Sequence, residues 1–197
     1  MISLTENEAR AVDFLIRNFT EKYNINQLAR KLNLSPRGSY KILKKLESQK
    51  IIVPEKLGNA IFYSINLENE LAVKVSELVL SEKREDPNLE TLIEDLAELK
   101  KISYSIIVFG SFVENPKKAN DVDVLILSDA SNYKKLKEEI EEINSILAKE
   151  IHPVFQTEKD LEQNIKEKDK VILDIIRTGF ILWGSHHIVK AIKKATK

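Results

Sequence analysis

The chain has 197 residues, 43% of them hydrophobic, with 31 Lys plus Arg against 31 Asp plus Glu, so it is long enough for one large or two small packed domains and carries no net charge. Its lack of cysteine excludes disulfides, thiolate metal sites and cysteine nucleophiles. No run approaches the roughly 18 apolar residues of a membrane span, and no signal-peptide pattern opens the chain, which makes cytoplasmic the expected location and a membrane an unexpected partner.

Thr5 with Glu8 three residues on is a capping-box pattern. It leads into Ala9, Val12, Leu15, Ile16 and Phe19 at helical spacing, which predicts a first helix. A short second helix is expected over Ile25 to Leu32, with Leu28, Ala29 and Leu32 on one side. Ser35 then reads as an N-cap and Pro36 as the first position of a third helix running to about Ser48. Two short helices joined by a few residues make a helix-turn-helix. Ile51 to Glu55 and Ala60 to Ile65 are β-rich runs on either side of Lys56-Leu57-Gly58-Asn59, a hairpin signal.

A hairpin directly after the third helix resembles the wing of the winged helix-turn-helix family, and the likeness of element order covers residues 5 to 67. The resemblance implies a duplex-DNA partner, with the third helix in the major groove and the wing on the adjacent backbone. Local charge agrees with it. Between Ile25 and Lys56 there are eight basic residues (Arg30, Lys31, Arg37, Lys41, Lys44, Lys45, Lys50, Lys56) against two acids, a surplus of six in a neutral chain. Arg37, Ser39, Tyr40, Lys41, Lys44 and Lys45 are the residues expected to face DNA, Leu43 and Leu46 the core, and Ile42 is left unassigned. The other reading of the same surface is a protein-protein module whose lysines are simply solvated.

A fourth helix is expected from Glu68 to about Lys83, with Leu71, Val75, Leu78 and Val79 forming a stripe. Closure of the winged-helix core and a homodimer interface are equal readings of it. The polar, proline-bearing stretch from Ser81 to Asn88 marks a domain boundary, which divides the chain into residues 1–85 and 86–197.

Leu89 to Lys101 reads as an amphipathic helix. It precedes two apolar runs, Ser105 to Phe109 and Val122 to Leu127, that flank a polar loop. The first run ends in Gly110-Ser111, where a glycine lets backbone N–H groups converge on an anion and a serine hydroxyl adds a hydrogen bond to phosphate. The second opens with Asp121 and Asp123, whose one-residue gap puts both carboxylates on one strand face. Two carboxylates so placed can hold a divalent cation together with phosphate oxygens. The bland alternative is a turn residue, Asp121, followed by an exposed strand residue, Asp123.

Gly110-Ser111, nine intervening residues and then Asp121-Val122-Asp123 resemble the signature of the nucleotidyltransferase superfamily that includes DNA polymerase beta, and of its minimal members above all. The resemblance covers roughly the second half of the chain. It implies that Asp121 and Asp123 bind Mg2+, or Mn2+, and carry catalysis, that Gly110 and Ser111 hold an NTP, and that a nucleoside monophosphate is moved to a protein or other acceptor. In that family a third carboxylate comes from a later strand. Here Glu150 to Gln156 occupies the place and its best-matching position is His152, a departure that does not preserve the site, since imidazole suits zinc, copper or nickel better than magnesium. His152 as a plain strand residue, and Glu150 as a substitute acid, are the other readings.

Ser131 to Lys149 is expected as a helix burying Leu136, Ile140, Ile143 and Leu147 under an ordinary solvated charge run. Thr157 begins another capped helix, Asp169 to Arg177 a further one, and Gly179 to Gly184 a short buried strand. His186 and His187 then open a basic terminal helix from Ile188 to Lys194; as neighbours on a helix they point apart and do not chelate one ion.

The expected fold is therefore α/β (α+β), an N-terminal winged helix-turn-helix joined to a nucleotidyltransferase-fold domain whose mixed sheet is flanked by helices. Two functions follow: a metal-dependent nucleotidyltransferase coupled to DNA binding, or a DNA-binding transcriptional regulator whose second domain no longer catalyses and serves as sensor or dimer scaffold.

Overall fold

The computed structural model describes residues 4–82 and 85–196. The chain divides into two compact units, Met1–Leu80 and Ser81–Lys197. Lys83, where the fourth helix is expected to end, and Arg84, in the charged boundary, lie outside the described residues.

The first unit begins with α1 (Glu6–Arg17), whose capping box is complete: the Thr5 side chain takes the Glu8 N–H and the Glu8 carboxylate takes the Thr5 N–H. A two-residue strand, β1 (Tyr23–Asn24), precedes α2 (Ile25–Leu32), and Ser35 caps α3 (Pro36–Ser48). The wing is the antiparallel hairpin of β2 (Ile52–Leu57) and β3 (Ala60–Ile65), turned by Gly58 at φ +59°. β1 pairs with the outer edge of β3, making a three-stranded sheet in the order β1-β3-β2. No sequence signal announces β1, because two residues are too few to show a period.

The next helix, α4 (Glu70–Leu80), is shorter than expected and rotated from the expected stripe. Its buried positions are Ala72, Val75, Ser76, Val79 and Leu80, while Leu71 is half-buried and Leu78 is 62% exposed. The helix packs on α1, so Val75 and Val79 close the core of this unit and are not free as a dimer face. Small Ala72 and Ser76 allow that close approach, and Ser76 satisfies its hydroxyl on the Ala72 carbonyl at 2.7 Å.

In the second unit α5 (Pro87–Asp95) tightens into a 3-10 turn over Ala97–Lys101 in place of one continuous helix. β4 (Ser105–Phe109), the one-turn α6 (Ser111–Glu114), β5 (Asp121–Leu127), α7 (Tyr133–Asn144), β6 (Glu150–Gln156), α8 (Glu158–Lys166), α9 (Lys170–Thr178), β7 (Phe180–Trp183) and α10 (Ser185–Ala195) follow. The sheet order is β6-β5-β4-β7; β5 runs parallel to β6 and β4 is antiparallel to both β5 and β7, so the sheet is mixed. Strand alternation splits it cleanly. Ile106, Val108, Val122, Val124, Ile126 and Ile151 form one core with Leu92, Leu96 and Leu99 and with Leu136 and Ile140 of α7. α7 stops at Asn144, whose side chain turns back to bond both backbone groups of Ile151; Ile143 and Leu147 are consequently only half-buried, and Leu147 lies beyond the helix. The terminal helix starts at Ser185 and so contains both His186 and His187.

Candidate metal and nucleotide site

Asp121 and Asp123 stand on the sheet face opposite that core. The parallel register pairs Asp121 with Glu150 and Asp123 with His152, and the antiparallel register pairs Asp123 with Phe109. Gly110, the next residue after Phe109, therefore arrives beside Asp123. Its backbone, at φ 71° and ψ −150°, lies in a region essentially reserved for glycine, and a Cβ there would fall 2.8 Å from Asp123 Oδ2. The glycine is needed twice, to turn the chain into α6 and to leave room for the carboxylate. Ser111 is the exposed first residue of α6, which buried Phe112 anchors in the core.

Asp121, Asp123 and His152 each offer a ligand atom, and these atoms lie within 4.8 Å of one another; no other such cluster occurs among the described residues. His152 Nδ1 is 3.6 Å from Asp121 Oδ2, and its Nε2 is 3.7 Å from Glu150 Oε2. Glu150 thus meets the imidazole and does not join the cluster as a substitute acid. The two aspartates fit magnesium, which takes one or two carboxylates with phosphate oxygens; the imidazole does not fit it as a third ligand. Juxtaposed carboxylates repel one another, and a cation relieves that repulsion.

On the same face α9 packs over β4 and borders an open pocket of about 580 Å³ lined by Phe109, Lys170, Val171, Asp174 and Arg177 among others. That volume is within the usual range for a small-molecule site. Sequence reading misses these residues because only the fold brings α9 against Phe109.

At the other end of the sheet His187 Nδ1 lies 2.5 Å from Glu158 Oε1, and Lys190 donates to Glu158 Oε2 at 2.8 Å. Burial opposes ionisation of Glu158, yet these two partners outweigh it and hold its pKa below the ordinary value. The contact ties α8 to α10 and gives His187 a structural task.

In the first unit Arg37, Tyr40, Lys41 and Lys44 project from α3 into solvent. Ser39 does not: it is 2% exposed, because it falls one turn before Leu43 and two before Leu46 on the core stripe, and its hydroxyl is buried without a hydrogen-bond partner. Lys45 reaches back to Glu8 Oε2 at 2.8 Å, and Lys44 pairs with Glu47 at 2.8 Å. Glu8 is driven toward a higher pKa by burial, but bonds from Lys45 and Thr5 bring it net below the usual carboxylate value.

Residues 89–177 match the family model of the nucleotidyltransferase domain. The matched segment runs from α5 to the last turn of α9 and contains Gly110, Ser111, Asp121, Asp123 and His152. The chain has no match among curated proteins. Solved structures similar to it include a point mutant of Lactococcus lactis ZitR, at 24% identity and TM-score 0.35 over 52% of this chain and 64% of that one. ZitR itself, described as a zinc-responsive MarR family member, matches at 22% identity and TM-score 0.32 over 51% of this chain and 76% of its own. Another point mutant of ZitR, in complex with DNA, gives 23% identity and TM-score 0.32 over 51% and 76% of the two chains. No helix among the described residues is long and apolar enough to cross a membrane.

Proposed function

We propose that residues 86–197 bind a nucleoside triphosphate with a divalent cation at Asp121 and Asp123, that residues 1–85 bind duplex DNA, and that the bound nucleotide serves transfer of a nucleoside monophosphate to a protein or other acceptor. The observation that carries the first part is the convergence of Asp121, Asp123 and the Gly110 backbone at one end of the two central strands, beside a pocket of small-molecule size. Asp121 and Asp123 would hold the ion, Mg2+ or Mn2+; the Gly110-Ser111 turn would take phosphate oxygens, and Lys170 and Arg177 would add positive charge along the cavity wall. The ion, when bound, supplies neutralisation of phosphate charge. Exposed Arg37, Tyr40, Lys41 and Lys44 support the DNA part, and two copies pairing across a dyad would present two recognition helices to two half-sites.

Calorimetric titration with Mg2+ or Mn2+ and an NTP tests the site. Binding is expected, and loss of it in Asp121→Ala and in Asp123→Ala. No nucleotide affinity at millimolar concentrations would overturn the reading.

His152 favours a second reading, in which the second domain retains ligand binding without turnover and the protein is a DNA-binding regulator. A wild type that binds nucleotide yet transfers none to any acceptor, with transfer gained in His152→Asp, would decide for it.

A further inference from the structure

We propose that His152 is a third metal ligand and makes this a site for a first-row transition ion of the manganese-to-zinc series in preference to magnesium. The inference rests on reading the Asp121/Asp123 pocket as the metal-nucleotide site and names the ion class that it selects.

Three observations place the imidazole in the site. The in-register parallel pairing of β5 with β6 puts His152 directly beside Asp123 and on its face of the sheet. Pro153 follows immediately, and the residue before a proline is restricted to extended backbone, so the strand geometry of His152 is locked where the side chain meets the pair. Proline is tolerated there because β6 is an edge strand.

The ring's orientation is the second point. Nδ1 faces Asp121 Oδ2 at 3.6 Å while Nε2 faces Glu150 Oε2 at 3.7 Å. A histidine that ligates a metal through one nitrogen typically gives the proton of the other to a carboxylate, which fixes the tautomer and raises the basicity of the ligating atom. Glu150 lies on the Nε2 side of the ring, beyond hydrogen-bond distance at 3.7 Å, where a small side-chain rotation would bring it to that outer role, and Nδ1 is left facing Asp121.

Donor chemistry is the third. Two carboxylate oxygens and one imidazole nitrogen form a mixed set. Magnesium demands oxygen and sheds water reluctantly, whereas imidazole nitrogen favours the later first-row ions. The 4.8 Å spread of the three donor atoms needs only side-chain rotation to bring each within roughly 2.0–2.2 Å of one ion.

The test uses the full chain without nucleotide, titrated with Co2+ and followed by visible ligand-field absorption, with Mg2+ as competitor. The chain has three histidines, at 152, 186 and 187, so histidine dependence is separable by position. Wild type should bind Co2+ more than about tenfold more tightly than Mg2+, and His152→Ala should lose the bands and that preference, while Glu150→Gln should weaken Co2+ binding by about tenfold. His186→Ala/His187→Ala should keep the bands, and His152→Asp should move the preference toward Mg2+. His152 is 49% exposed in its side chain, so these variants leave the core intact, which far-UV circular dichroism checks. Co2+ uptake that ignores His152, or a wild type that takes Mg2+ as tightly as Co2+, would overturn the inference. Mg2+-dependent nucleotide binding indifferent to His152 would refute the ligand set and leave the nucleotide reading standing. Histidine-dependent Co2+ binding with no nucleotide affinity would refute the nucleotide reading alone.

Discussion

Replacing Gly110 with alanine separates two costs that the structure places on one residue. The first is backbone strain: φ 71° with ψ −150° is a conformation that an L-residue enters at about 1–3 kcal/mol, wherever its side chain points. The second is the encounter of the new Cβ with Asp123 Oδ2 at 2.8 Å; the Asp123 Cγ and Cβ stand farther off, at 3.7 and 3.9 Å, so the carboxylate swings away and the backbone stays. The strain should appear as lost stability and the displacement as lost cation affinity. Urea denaturation should report a loss of about 1–3 kcal/mol in Gly110→Ala, and cation titration a further, independent weakening. A double-mutant cycle isolates the encounter: in an Asp123→Ala background the same substitution should cost the backbone share alone, with a coupling of at least about 0.5 kcal/mol between the two sites. Unchanged stability together with unchanged cation binding would refute both the assigned backbone and the proximity of Gly110 to Asp123.

Three other expectations are open to direct measurement. Removing Arg37 or Lys41 should reduce the salt slope of DNA binding by about 0.9 for each phosphate that is no longer neutralised; a double variant that binds duplex as the parent does across salt concentrations would sink the DNA assignment. The Glu8 pKa is depressed when folded, so its contribution to stability is complete above the unfolded carboxylate range and disappears as pH falls through the folded value. Lys45→Met should therefore cost about 1 kcal/mol near neutrality and little in acid, and thermal melts showing equal losses at both pH values would contradict the pairing. Gly184, at φ +77°, would place a Cβ 2.1 Å from the Tyr104 carbonyl oxygen and 2.8 Å from Ser105 Cα. Neither atom is a movable side-chain tip, so Gly184→Ala should cost at least about 3 kcal/mol, and a variant that melts with the parent would show the turn to be looser than described.

The elements are legible wherever a local device announces them. Thr5, Ser35 and Thr157 cap the helices that their spacing predicts, and the alternating runs on either side of Gly58-Asn59 become the two strands of the wing. Legibility fails where periodicity has two solutions. On α4 the stripe containing Leu71 and Leu78 is more apolar, but the face that is buried is the neighbouring one, Ala72, Val75, Ser76, Val79 and Leu80, with small Ala72 and Ser76 at its centre where the helix meets α1. Ser39 shows the converse error: a polar side chain reads as outward-facing although its spacing to Leu43 and Leu46 puts it on the core stripe. At the sheet, Asp121 and Asp123 can be placed on one face from their spacing, whereas the position of His152 depends on the register of β5 with β6. A non-local register has no trace in a local pattern. The same holds for Lys170 and Arg177, which reach the cavity only because α9 returns to pack on β4.

The residue at position 152 bears directly on the choice between the two proposed functions. Ground-state binding of a metal-nucleotide needs ligands that hold the ion and a turn that holds phosphate. Catalysis needs interactions that strengthen as charge shifts between attacking and leaving oxygens, and these are supplied in two-metal sites by a second ion held in part by oxygen donors. An imidazole at position 152, beside the aspartate pair, helps the first requirement and weakens the second. Such a site should keep its nucleotide longer than it turns it over, and a retained ligand is what a sensor requires. If nucleotide then alters DNA affinity by some factor, DNA must alter nucleotide affinity by the same factor, because the coupling free energy belongs to the pair of sites. Measuring nucleotide affinity with and without duplex therefore tests the regulator reading: unequal affinities are expected of a nucleotide-responsive regulator, and equal affinities would refute it.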